Sequence, residues 1–187
     1  MTLVRKLSAV EADKLTHHLC RLSQEERRLR FGHAVSSQGL TDFVEAIDWS
    51  ETWAIGAVDG QDLHGVVELR RAGAWWTGAA ELSVSVEGPY QNQGLGTRLV
   101  AEALLVARNR GIRTVFLLCL PENRPIQRIA KKFSGRLTMV DGDLEARIQP
   151  AQPTPLTVMM ELFNDTRGIV QSVLEQAAKA PAGSSGR

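Results

Sequence analysis

The sequence predicts an α+β fold. Three observations carry that reading. Helical patterns dominate the first fifty residues. A hairpin signal, Asp59-Gly60-Gln61-Asp62, then joins two strand-like runs at 53–58 and 63–69. Beyond residue 79 the pattern alternates strand, helix, strand, helix, strand, which places helices against a sheet rather than in a separate layer.

Each element has its own signal. Residues 4–7 read as a short strand. Residues 11–22 read as a helix with Leu15, Leu19 and Leu22 on one face. Ser23-Gln24-Glu25-Glu26 is a capping-box pattern that opens a helix over 27–31. A short helix is expected over 41–47, capped by Thr41 or Asp42. Residues 71–78 form a loop carrying Gly73, Trp75, Trp76 and Gly78, and 79–86 a strand. Residues 99–110 form an amphipathic helix that Gly111 ends. The unbroken apolar run at 114–120 marks a buried central strand. In the helix at 125–133, Ile126, Ile129, Ala130 and Phe133 make one apolar face, and Pro125 is tolerated in the first turn. Strands are expected at 136–140, 145–148 and 156–162, the last two separated by a Pro-rich link. A helix follows over 165–178, where Ile169, Val170, Val173, Leu174 and Ala177 form a stripe that must cover something. A homodimer contact is one way to cover it. The Gly/Ser-rich end, 181–187, reads as disordered.

Composition narrows the function classes. The 187 residues fit one domain large enough to bury a core without staples. A net charge of +1 gives no ground for a nucleic-acid or membrane partner. The N-terminus lacks a signal-peptide pattern and no apolar run spans a bilayer, so the expected location is cytoplasmic. Two cysteines make no disulfide framework, and Cys119 reads as a buried small hydrophobe. His17, His18 and Cys20 cluster without further ligands at useful spacing, so no metal site is expected.

The chemistry concentrates at the junction of the 79–86 strand and the helix after it. The junction reads Glu87-Gly88-Pro89-Tyr90-Gln91-Asn92-Gln93-Gly94-Leu95-Gly96-Thr97-Arg98. A glycine-bearing turn opening a helix presents free backbone N–H groups and the positive end of the helix dipole, which suit a phosphate. No lysine follows Gly96, which excludes the Walker A loop. A third glycine is missing, which excludes the dinucleotide fingerprint. What fits is Gln-x-x-Gly-x-Gly at Gln91, Gly94 and Gly96.

With Ala80-Glu81-Leu82 upstream and Pro121-Glu122-Asn123-Arg124 downstream, the chain resembles the GNAT superfamily of N-acetyltransferases over about residues 3–163. The resemblance implies a mixed, strongly twisted central sheet flanked by helices. It implies a single acetyltransferase domain over 1–163, with 164–187 as an added helix and tail. It also implies acetyl-CoA as co-substrate, with Gln91, Asn92, Gln93, Gly94, Leu95, Gly96, Thr97 and Arg98 around its pyrophosphate. The pantetheine arm would run along Val84, Ser85 and Val86, pairing with backbone as an added strand does. A backbone N–H of this strand would stabilise the oxyanion. Asn123 would bind the arm, although a plain helix cap before Pro125 explains it equally well. Arg128, in a stripe with Arg124, Lys131 and Lys132, would meet the 3′-phosphate, or simply face solvent.

Amine acetylation needs a base, because a lysine side chain of pKa about 10.4 is neutral in only about one molecule in 2,500 at pH 7. The resemblance places that base at Glu81, with Glu68, Glu87 and Glu122 as lesser candidates. The chain departs from the family where many members carry a tyrosine as general acid: position 130 is alanine, and the single tyrosine is Tyr90. The expected activity is direct acetyl transfer in a ternary complex to a primary amine, either a protein lysine or a small molecule. A non-catalytic acetyl-CoA-binding module is the reading from another class.

Overall fold

The computed structural model describes residues 2–179. Its centre is a mixed seven-stranded sheet. The strands are β1 (Leu3–Lys6), β2 (Thr52–Asp59), β3 (Asp62–Ala72), β4 (Ala79–Val86), β5 (Thr114–Cys119), β6 (Arg136–Val140) and β7 (Asp143–Ile148). The helices are α1 (Ala12–Arg21), α2 (Gln24–Phe31), α3 (Ser37–Glu45), α4 (Leu95–Asn109), α5 (Arg124–Lys132) and α6 (Pro155–Lys179).

The sheet order is β1-β2-β3-β4-β5-β7-β6. The first four strands form an antiparallel meander whose tight turn falls at the expected place, with Asp59 opposite Asp62 and Gly60 at φ +60°. β4 and β5 run parallel, joined by the crossover helix α4.

The sheet buries two apolar layers. On one face Leu15 and Leu19 of α1 and Leu40 and Val44 of α3 pack on Ala54, Val58, Leu63 and Val66. On the other, Leu99, Val100 and Ala103 of α4 pack on Ala80, Leu82, Val115 and Leu117. Alternation along β4 follows from this. Ala80, Leu82, Val84 and Val86 join the α4 layer, whereas Ser85 and Glu87 meet α1.

Two sequence expectations are corrected. Residues 156–162 are not a strand but the start of α6. Pro155 occupies the first helical position, and Thr157 accepts from and donates to Thr154 ahead of it. α6 then runs unbroken across residues 163 and 164. The third helix starts at Ser37 rather than at 41, because Ser36 is the cap and accepts from the Gly39 N–H at 3.1 Å. The expected tail at 181–187 lies outside the described residues, as do the side chains of Ile169, Val173, Leu174 and Ala177. Among the described residues no helix is long and apolar enough to cross a membrane.

Candidate active site

Strand pairing builds the site. β4 and β5 share only three register pairs, Ala79↔Thr114, Ala80↔Val115 and Glu81↔Phe116. Beyond them β4 pairs with β3 alone and β5 with β7 alone. The two inner edges part, and backbone groups of β4 from Leu82 onward lack a strand on that side.

A cavity of about 320 Å³ opens at this parting. One wall is Val84, Ser85 and Val86 of β4, and another is Asn123, Ile126 and Ile129 around α5. Leu22, Glu26, Leu29 and Arg30 close the side toward α1 and α2. Gln91, Asn92, Gly94, Leu95, Gly96 and Thr97 form the end beneath α4. Arg128 and Lys132 supply cations at its edge.

The loop before α4 is shaped by two left-handed residues, Asn92 at φ +58° and Gly94 at φ +81°. Gly94 is the N-cap of α4 and offers no side chain, so the first-turn N–H groups face the cavity end uncapped. Gln91 fastens the loop: its Nε2 donates to the Val86 carbonyl oxygen at 2.8 Å and to Glu26 Oε1 at 2.7 Å. Gly96 lies inside the helix. A Cβ there would stand 3.2 Å from Ile129 Cδ1, so its constraint is the close approach of α5 rather than an unusual φ.

Other expected residues divide. Asn123 is buried and performs the capping role: its Oδ1 accepts from the Ile126 N–H, and its Nδ2 donates to the Leu29 carbonyl. It therefore ties α2 to α5 across the cavity. Gln93 points out, donating to the Pro89 carbonyl, and Arg98 is exposed; neither lines the cavity.

Glu81 is exposed and also lies outside the lining, at the last β4–β5 pair where the strands part. Glu68 is buried and paired with Arg30 at 2.9 Å, and its Oε2 has no hydrogen-bond partner among the described residues. Glu122 is exposed and paired with Arg28 at 2.8 Å. Backbone hydrogen bonding first, then Arg28, holds its carboxyl below the usual range. Tyr90 stacks on His64 with ring centroids 4.0 Å apart and does not line the cavity.

Glu87 anchors a polar cluster that the sequence did not announce. It meets His18 at 3.1 Å, Arg21 at 2.8 Å and His64 at 3.3 Å. Burial would raise its carboxyl, but hydrogen bonds from these three side chains outweigh that and hold it at about 2. His18 falls on the face of Leu15, Leu19 and Leu22, at i+3 from Leu15. That spacing was the available signal that it points inward. Among the described residues no group of His, Cys, Asp and Glu side chains is arranged to hold a metal ion.

Known structures share this architecture. The GNAT domain of S. lividans PAT superposes with a TM-score of 0.68 at 22% identity, covering 78% of this chain and 89% of that one. The putative acetyltransferase yncA from Salmonella typhimurium, solved with its cofactor acetyl-CoA, gives 0.62 at 14% identity, covering 82% and 96%. Ribosomal-protein-alanine N-acetyltransferase from Brucella melitensis gives 0.61 at 15% identity, covering 79% and 99%. The sequence profile of the Acetyltransferase (GNAT) family matches residues 16–135, which runs from within α1 past the end of α5 and takes in the whole loop beneath α4. The chain belongs to the GNAT family of acetyltransferases.

Proposed function

We propose that the protein moves an acetyl group from acetyl-CoA to a primary amine, by direct attack within a ternary complex, and that the acceptor is a protein lysine. The observation that carries this is the cavity between the parted β4 and β5 strands, which ends under the uncapped N-terminus of α4. The donor set fits the co-substrate. First-turn N–H groups of α4 suit a pyrophosphate, the free β4 edge suits an amide-bearing arm, and Arg128 and Lys132 suit a further phosphate.

The roles follow from position. A backbone N–H near Ser85 donates to the carbonyl oxygen as charge develops there. Glu81, at the point where the strands part, takes the first amine proton through water and passes it to solvent. Its exposure supplies that water. The thiolate is a fair leaving group, with a thiol pKa of about 8.5. A macromolecular acceptor is favoured by the exposed aromatic pair Trp75 and Trp76 on the loop before β4, and by the protein acceptor named for the Brucella melitensis relative. A small-molecule amine is the second reading.

Thiol release from acetyl-CoA, followed against lysine peptides and a panel of small amines, tests this. Glu81→Gln should lower kcat/KM about 10²-fold near neutral pH, with partial recovery as pH rises and more amine is already neutral. Affinity for CoA should stay within about twofold. An unchanged rate across the whole pH range would make Glu81 a structural strand-end residue.

A further inference from the structure

Ser85 is the cavity residue with the most elaborate support, and the acetyl-transfer reading above uses only its backbone. It is 8% exposed, lines the cavity, and sits on the stretch of β4 that has no partner toward β5. Its Oγ lies 2.9 Å from Nε2 of His18, a fully buried side chain from α1. His18 Nδ1 lies 3.0 Å from the Leu63 carbonyl oxygen and 3.1 Å from Glu87 Oε1.

The hydrogen-bond network assigns the hydrogens. Nδ1 faces two oxygens that can only accept, so it carries a hydrogen. Arg21 already balances the Glu87 carboxylate, donating from Nε at 2.9 Å and closing to 2.8 Å at Nη2. His64 Nδ1 lies 3.3 Å from the other Glu87 oxygen. In the neutral imidazole, with the hydrogen on Nδ1, Nε2 is the acceptor. The Ser85 hydroxyl donates to it and leaves its oxygen lone pairs for the cavity. A hydroxyl, an imidazole and a carboxylate in series are the arrangement in which a serine can accept a proton while passing its own inward.

We propose that Ser85, backed by His18, carries the second amine proton to the departing thiolate, supplying the general acid for which the chain has no tyrosine. The inference rests on the acetyl-transfer reading. An alkylammonium loses two N–H protons on becoming an amide, and the first has gone to Glu81 and solvent. Attack of the neutral amine forms the C–N bond and leaves the adduct nitrogen positive and the carbonyl oxygen negative. The nitrogen gives a proton to Ser85 Oγ as the Ser85 hydrogen passes to His18 Nε2. Collapse of the adduct restores C=O and breaks C–S, with the electron pair going to sulfur. His18 then returns its proton to Ser85 Oγ as the Ser85 hydrogen passes to the thiolate. Serine and histidine end as they began, and nothing else is consumed. Glu87 is a positioning residue here: it fixes the imidazole tautomer and faces the transient imidazolium.

The two amine protons thus take different routes, which separates this relay from the role of Glu81. Ser85→Ala should lower kcat about 10²-fold, leave the Kd for CoA within about twofold, and reduce the solvent deuterium isotope effect on kcat. Ser85→Thr, which keeps the hydroxyl, should recover most of the rate. Unchanged kcat in Ser85→Ala would overturn the relay. So would a parallel loss of CoA affinity, which would mark a purely structural side chain. An acetyl group on Ser85 in acid-quenched wild-type protein would also overturn it, making the serine a nucleophile. A ¹⁵N spectrum of the His18 ring needs no acceptor: it should show hydrogen on Nδ1 and none on Nε2 at neutral pH, and the reverse tautomer would refute the assigned direction. Wild-type protein that binds acetyl-CoA but acetylates no amine in the panel would sink the transfer reading instead, and the ring spectrum would still decide the hydrogen order.

Discussion

Helices α4 and α6 are attached to the same body by opposite means. α4 turns its apolar side inward and buries Leu99, Val100, Ala103, Val106 and Ala107. α6 is reversed. It buries Thr157 and Glu161 and leaves Leu156, Met159, Met160, Leu162 and Phe163 exposed. Its inward contacts are polar. Glu161 meets Arg110 at 3.0 Å, Asn109 at 2.8 Å and also Lys6, while Asp165 meets Lys6 at 2.8 Å. Burial holds α4 at a strength set by area and packing. Paired charges hold α6, and these weaken when either partner is neutralised. The helix that carries the candidate cofactor end is thus the one whose placement is insensitive to pH. The helix outside that site is the sensitive one.

The sharpest way to break the contrast is at the α4 end. Gly96→Val pushes a branched side chain toward Ile129 and closes the cavity beneath the helix. Acetyl-CoA affinity should fall at least tenfold, about 1.4 kcal/mol, while circular dichroism stays native. Calorimetry giving wild-type affinity in the folded variant would remove the loop from the cofactor site.

A smaller effect is expected at α6. Burial would raise the Glu161 carboxyl, but Lys6, Asn109 and Arg110 hold it below its usual 4.5. A depressed folded value means that its stabilising contribution is fully present above pH 4.5 and is lost as pH falls through the folded value. Amide protection across 155–166, taken relative to intrinsic exchange at each pH, should therefore fall on acidification before protection in α4 does. Glu161→Gln should remove that acid dependence. Protection that falls equally in both helices would show that they are held alike. Phe163→Ser should change monomer stability by no more than about 0.5 kcal/mol, being exposed. A fall in self-association on sizing would identify a second copy as the cover for the apolar face.

This contrast also explains which parts of the molecule were legible in the sequence. α4, the loop before it and the β2–β3 turn are written in local spacing: Gly94 as an N-cap at positive φ, Asp59-Gly60 at a tight reversal, and an apolar face at helical period. Residues 156–162 misled because their helical face is inverted. Thr157 and Glu161 point inward among apolar neighbours that point out, so the stretch reads as an apolar strand run. The loop after β4 announced the cavity end beneath α4. The side toward α1 and α2 did not announce itself, since Leu22, Leu29 and Arg30 reach the cavity only through tertiary packing. His18 was visible as a helix position but not as a partner of Ser85, because 67 residues separate them. Glu81 was readable as a strand residue. Its place at the last β4–β5 pair was not, because that depends on where the two strands part.

The central claim is direct transfer inside one complex that holds both substrates. Initial rates measured over a grid of acetyl-CoA and amine concentrations, with the acceptor that the thiol-release panel identifies, test it most directly. The double-reciprocal lines should intersect, because the amine attacks while the thioester is still bound. Parallel lines, the pattern of an acetylated enzyme that releases CoA before the amine binds, would contradict the account.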